Sequence, residues 1–241
     1  MRYETNQRPL IILIAGGHAA GKCLASRLLR EEIENRCQQI KIAEVDMKEF
    51  QEETFEIGPS RFNFELVKSK VENHISDGFD VILIYGLYAL YDKELLNMGS
   101  VKIFIDCDAD IRLGRWIKRD LLSSKLSESI SKADKSMLLR NLLMRYLSES
   151  RIEMSEFISR TKELADVVLP RGAEPTGISL IVDGIQHLIK NESEKSIDHT
   201  IRFHTSDPVK KVISSRKKDI TLEVLSNDNF ESRNKRFYDL N

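Results

Sequence analysis

Leu10-Ile11-Ile12-Leu13-Ile14-Ala15-Gly16-Gly17-His18-Ala19-Ala20-Gly21-Lys22-Cys23 decides the fold. Its first six residues are apolar and rich in β-branched side chains, the pattern of a short buried strand. Glycines at 16, 17 and 21 and Lys22 follow, and then Leu24, Ala25, Leu28 and Leu29 recur at helical spacing. Strand, glycine-rich turn and helix, in that order, make a phosphate-binding loop. The glycines let backbone N–H groups turn toward an anion. The helix N-terminus adds partial positive charge and Lys22 a full one.

One position breaks the pattern. G-x-x-x-x-G-K is ordinarily closed by Ser or Thr, whose hydroxyl ligates Mg²⁺, and here it is closed by Cys23. A thiol is a soft ligand, poorly matched to that hard cation.

The totals place this loop in an ordinary globular chain. With 241 residues there is room for one α/β domain and an appendage. A net charge of −1 gives no global field toward nucleic acid or a membrane, so neither is expected as a partner. Cys23, Cys37 and Cys107 have no paired or metal-type spacing and read as reduced thiols, which points to the cytoplasm or the nucleus. Met1 to Pro9 is polar, without a signal-type apolar core, and no apolar run approaches membrane-spanning length.

Working outward, Ile40 to Val45 reads as a second strand ending at Asp46, and Glu49 to Pro59 as a loop. Phe62 to Ile75 carries a helical stripe stopped by Asp77-Gly78. Val81 to Ile84, Val101 to Ile105 and Val167 to Leu169 are further strands. Ala109 to Leu126 is a basic helix with Arg112, Arg115, Lys118 and Arg119. Lys132 to Leu164 makes one or two long amphipathic helices, and Thr176 to Ile189 the last. Strands alternating with helices predict an α/β fold: a doubly wound parallel sheet of about five strands with flanking helices. Ligands in such sheets bind beyond the carboxyl ends of the strands. That edge should carry residues 16 to 23, Asp46, Tyr85 and Asp106. Residues 1–190 form this domain. Residues 191–241 form a C-terminal extension, with a linker at Asn191 to Ser196 and short apolar runs such as Ile220 to Leu225.

From Pro9 to Ile189 the chain resembles the uridine–cytidine kinase family of P-loop kinases, as a divergent fungal-type member. Lys102-Ile103-Phe104-Ile105-Asp106-Cys107-Asp108-Ala109-Asp110-Ile111-Arg112-Leu113, running on to Arg119-Asp120, resembles the family's F-V-D-T-D-A-D-x-R-L…R-D. Ala165-Asp166-Val167-Val168-Leu169-Pro170-Arg171-Gly172 resembles its A-D-V-I-I-P-R-G, and Gly16 to Cys23 its G-G-x-x-S-G-K-[ST]. The resemblance implies ATP as cofactor, uridine or cytidine as acceptor, a place in pyrimidine salvage, and a homo-oligomer. It implies Asp46, Lys22 and Arg119 as catalytic residues. Nucleotide contacts would come from Gly16, Gly17, His18, Ala19, Ala20, Gly21, Lys22, Cys23 and Arg112.

The departures from the family fall on its chemistry. Tyr85, before Gly86, stands where the family has a metal-holding Glu. Gly58-Pro59-Ser60-Arg61-Phe62-Asn63 resembles H-P-D-A-F-D, with Ser60 in place of the sugar-binding Asp. Gly78-Phe79-Asp80 leaves no room for the hairpin that grips the pyrimidine, and Leu121 to Leu126 offers only Lys125 for the lid arginines. Mg²⁺ is therefore in doubt, and no metal ligand is assigned. Trp116 and the aromatics from Phe79 to Tyr91 are expected in the core. Two functions compete: a uridine kinase-like enzyme of low activity, and a non-catalytic nucleotide-binding or scaffolding pseudokinase. A kinase with another small acceptor is a third.

Overall fold

The computed structural model describes residues 8–37, 39–52, 56–122 and 132–193. Of the linker expected at Asn191 to Ser196, residues 191–193 are instead the end of the last helix, Pro175–Ser193; residues 194–241, with the rest of the expected linker and extension, lie outside the described residues, as does Lys125.

The described residues build a five-stranded parallel sheet, the architecture that the alternating pattern predicts. Strands β1 (Leu10–Gly16), β2 (Ile42–Asp46), β3 (Val81–Tyr85), β4 (Val101–Ile105) and β5 (Val167–Leu169) stand in the order β2-β3-β1-β4-β5. β1 is central, with Ile14 in register with Tyr85 of β3 and Ile103 of β4. All seven of its residues are buried, because both faces of the sheet are covered.

Alternation along β1 assigns the faces. Leu10, Ile12 and Ile14 pack with Ala25, Leu29 and Ile33 of α1 (Lys22–Arg36) and with Ile178, Ile181 and Ile185 of the last helix. Ile11, Leu13 and Ala15 face the other way, toward Val67 and Val71 of α2 (Phe64–Ser76), Leu95 of α3 (Lys93–Met98) and Ile158. Each buried Leu, Ile or Val among them contributes roughly 1.5–3 kcal/mol.

Boundaries differ from the sequence reading where capping intervenes. α2 starts at Phe64 because Asn63 caps it, accepting from the Leu66 N–H at 3.1 Å. α3 is too short to show a period, and Asp92 caps it on the Leu95 N–H at 2.9 Å. β2 begins at Ile42 rather than Ile40, and the stretch expected to be loop holds a 3₁₀ turn at Met47–Phe50. α4 (Ala109–Leu121) carries the basic residues. α5 (Lys132–Arg145) continues as a helical rod to Leu164. It passes through π turns at Tyr146–Ser150 and Met154–Ile158, an α turn at Arg151–Glu153 and a 3₁₀ stretch at Ser159–Leu164. α6 (Pro175–Ser193) ends the described chain.

Among the described residues no helix is long and apolar enough to cross a membrane.

Candidate functional site

The turn after β1 is shaped by backbone that side chains would block. Gly16 has φ +149°, and a Cβ there would sit 2.5 Å from the Ile105 carbonyl oxygen. A Cβ on Gly17 would meet the Arg112 guanidinium at 2.5 Å. Ala19 takes the left-handed conformation at φ 55°, and Gly21 enters α1 at φ 109° with no side chain capping the first turn. The Ala20 N–H closes the turn on the Gly17 carbonyl at 3.2 Å, and the helix N-terminus behind it suits an anion.

This loop forms one wall of a cleft of about 640 Å³ at the carboxyl edge of the sheet. Of the residues singled out in the sequence, His18, Ala19, Gly21, Lys22, Cys23, Asp46, Tyr85 and Arg119 line it. The strand register explains part of this: Asp46 ends β2 opposite Tyr85, which ends β3. Arg115, Trp116, Asp120, Lys48, Gln51, Phe62 and Arg145 complete the walls.

Lys22 donates from Nζ to the Gly17 carbonyl at 2.8 Å. Withdrawal from solvent, reinforced by the nearby Arg112 charge, lowers its pKa to about 7. Arg112 does not line the cleft. It lies buried against Gly17, donating from Nε to the Cys107 carbonyl at 3.0 Å, so it supports the loop from behind. Arg115 reaches the Ala20 carbonyl at 3.2 Å. Arg119 is largely exposed and paired with Asp120 at 2.6 Å, which adds little stability and leaves it free to turn toward a ligand. Ser60 is exposed on the 3₁₀ turn at Pro59–Arg61 and does not line the cleft. Asp106 pairs with Lys162 at 2.6 Å and is likewise outside it.

At the metal position the donor set is Cys23, Tyr85 and Asp46. Burial, with Asp46 and Cys23 beside it, pushes the Tyr85 hydroxyl up, so it stays a neutral phenol. A thiol and a phenol beside one carboxylate are not the hard oxygen set that Mg²⁺ prefers. Among the described residues no group of three or more His, Cys, Asp or Glu side chains is placed to hold a metal ion. The phosphate cradle, by contrast, suits a polyphosphate.

Three features escape the sequence reading. Trp116, expected in the core, is buried yet forms a cleft wall, with its ring stacked on His18 at 5.2 Å and 10°. The Tyr88 hydroxyl ends on Glu153 at 2.9 Å within the core. Glu153 itself is 1% exposed and also bonds His18 and Arg61. Its one signal in the sequence is a charge on the helical stripe that runs through Tyr146, Ser150 and Phe157.

The sequence profile of the Phosphoribulokinase / Uridine kinase family matches residues 32–176, more than half the chain. The chain belongs to that family. Family relatives include "Uridine-cytidine kinase B" of Dictyostelium discoideum, 29% identical over 81% of this chain and 90% of the relative. The Saccharomyces cerevisiae protein "Putative uridine kinase DAS2" is 27% identical over 79% of this chain and 83% of its own length. A "Uridine kinase" of Clostridium tetani is 28% identical over 54% of this chain and 57% of its own length. Among solved structures, shikimate kinase from Acinetobacter baumannii superposes with a TM-score of 0.37 at 18% identity, over 76% of this chain and 94% of that one. That superposition is too loose to carry functional meaning.

Proposed function

We propose that this chain is a uridine kinase-like ATP-binding protein whose phosphoryl transfer to uridine or cytidine is slow. The observation that carries the reading is one cleft in which a phosphate loop with Lys22 faces Asp46 across the sheet edge, while Cys23 and Tyr85 occupy the metal side. In the nominal reaction Asp46 takes the proton from the nucleoside 5′-hydroxyl. The freed oxygen attacks the γ-phosphorus of ATP, the bond to the β-phosphate oxygen breaks, and ADP and UMP or CMP result. Lys22 and Arg119, with Arg115 beside the loop, stabilise charge on the transferring group. Asp46 is held for this through Oδ1, which accepts the Lys48 N–H at 2.9 Å.

The second reading, a non-catalytic nucleotide-binding protein, is favoured by the same Cys23–Tyr85 pair, which offers Mg²⁺ a thiol and a neutral phenol in place of a carboxylate. In both readings ATP binds with little help from the metal. Calorimetric titration of the whole chain with ATP, with and without Mg²⁺, followed by a uridine and cytidine turnover assay, tests them. ATP binding with slow, Asp46-dependent UMP formation supports the enzyme. ATP binding without product supports the second reading. No ATP binding at millimolar concentration removes both.

A further inference from the structure

Glu153 ties together three segments that the sheet alone would leave independent. Its Oε1 accepts from the Tyr88 hydroxyl at 2.9 Å and from the Arg61 guanidinium. Its Oε2 meets His18 Nε2 at 2.8 Å. Tyr88 follows β3, Arg61 lies on the 3₁₀ turn after Gly58, and His18 lies in the phosphate loop. One oxygen is thus held by the scaffold and the other is presented to the loop.

Such a carboxylate is costly to bury. Burial pushes its pKa up, and the bonds from His18, Arg61 and Tyr88 more than offset this, holding it below the usual carboxylate range. Apolar side chains in place of the whole Arg61, Tyr88 and Glu153 cluster would serve stability as well or better, whereas replacing Glu153 alone would strand the buried Arg61 charge. Glu153 also stands between two π turns, local insertions that are frequent at functional sites.

The other end of the connection is equally fixed. The His18 ring stacks flat on Trp116, so Glu153 holds its edge and Trp116 its face. Burial keeps the imidazole neutral, so Nε2 carries the proton and donates to the carboxylate. On one side of His18 is Gly17, whose carbonyl receives Lys22. On the other is Ala19, in the left-handed conformation. We infer that Glu153 is a positioning residue of the nucleotide site, holding residues 17–19 through His18 in the conformation that receives a polyphosphate. This rests on the nucleotide-binding reading.

The test removes the polar network without leaving an orphan charge. In the triple variant Arg61→Met, Tyr88→Phe, Glu153→Met, the buried pair becomes apolar, and the melting temperature should hold. ATP affinity should nevertheless fall roughly tenfold, the size of coupling expected between directly bonded groups. His18→Ala should cost a similar factor, and combining it with the triple variant should cost no more. Backbone amide exchange at residues 17–21, read without nucleotide, should speed up equally in all three proteins. Unchanged ATP affinity and unchanged exchange in a folded triple variant would overturn the inference. So would costs that multiply when the variants are combined. If the wild type binds no ATP, the nucleotide-binding reading fails by itself, and the exchange data still decide whether Glu153 sets the loop. If the triple variant does not fold, Tyr88→Phe and His18→Ala carry the same cycle with a smaller expected fall.

Discussion

The two walls of the cleft are built from different materials. The phosphate wall is backbone: the turn at residues 16–21 and the first turn of α1, with one side chain, Lys22, adding charge. The opposite edge is side chain: Asp46 and Tyr85, approached by the Cys23 side chain from the first turn of α1, with Ser60 outside the cleft altogether. Backbone N–H groups survive most substitutions, whereas a metal or sugar grip disappears with a single side chain. A chain under changed demands can therefore keep its phosphate cradle and lose its chemistry.

The largest expected difference is in turnover. On the proposed reading, in which several charge-stabilising groups differ from the family's together, uridine phosphorylation by the wild type should be at least about a hundredfold below that of an ordinary family member. A coupled assay with uridine and cytidine measures it. Turnover in the usual kinase range of about 1 to 100 per second would erase the contrast between the walls. Lys22→Ala comes next and should abolish ATP binding in calorimetry while the fold is kept, because Lys22 contributes charge rather than packing. Retained millimolar-range binding would mean that the backbone cradle suffices.

Much of the phosphate wall was legible in the sequence because its determinants are local. Gly16, Gly17, Gly21 and Lys22 lie within seven residues, and the strand before them is an unbroken apolar run. The parallel sheet followed from the spacing of five short apolar-rich runs, two of them interrupted by a charge at Lys41 and Glu44 or at Lys102. The other features depend on tertiary contacts. Nothing local distinguishes Arg112, buried against Gly17, from Arg115 and Arg119, which line the cleft; only the helix's rotation against the loop does. Trp116 becomes a cleft wall because His18 stacks on it. Glu153 is joined to His18 across 135 positions, a pairing that no local pattern encodes.

A smaller change sharpens the comparison by rebuilding the side-chain wall alone. Cys23→Ser with Tyr85→Glu returns a hydroxyl and a carboxylate to the edge beside Asp46. ATP affinity should then become more dependent on Mg²⁺, and ATP hydrolysis should rise. Uridine phosphorylation should stay low, because Ser60 remains outside the cleft and the nucleoside is not held in line with the γ-phosphorus. Orientation of that kind is worth on the order of 7 kcal/mol of barrier or more. Robust UMP formation by this variant would show that another segment holds the nucleoside.

The smallest effect is a proton. In the unliganded protein burial and Arg112 bring Lys22 down from 10.5 to about 7. Between these values the unfolded chain carries a proton at this position that the folded chain lacks. This group therefore makes stability rise with pH across that window, and below about 7 its burial is a constant cost. A bound polyphosphate reverses the situation by favouring the charged ammonium. ATP binding at pH 8.5, where the nucleotide is already fully ionised, should take up close to one proton, and at pH 6 Lys22 should contribute none. ATP affinity should fall with rising pH, by up to about tenfold per unit above 7. Titrations in buffers of different ionisation enthalpy give the proton number directly, as the slope of observed heat against buffer enthalpy. Lys22→Arg should lose the uptake, since a guanidinium remains charged throughout. A slope of zero for the wild type at pH 8.5 would mean that Lys22 is already charged when it bonds the Gly17 carbonyl, and that the cradle is preset for its anion rather than completed by it.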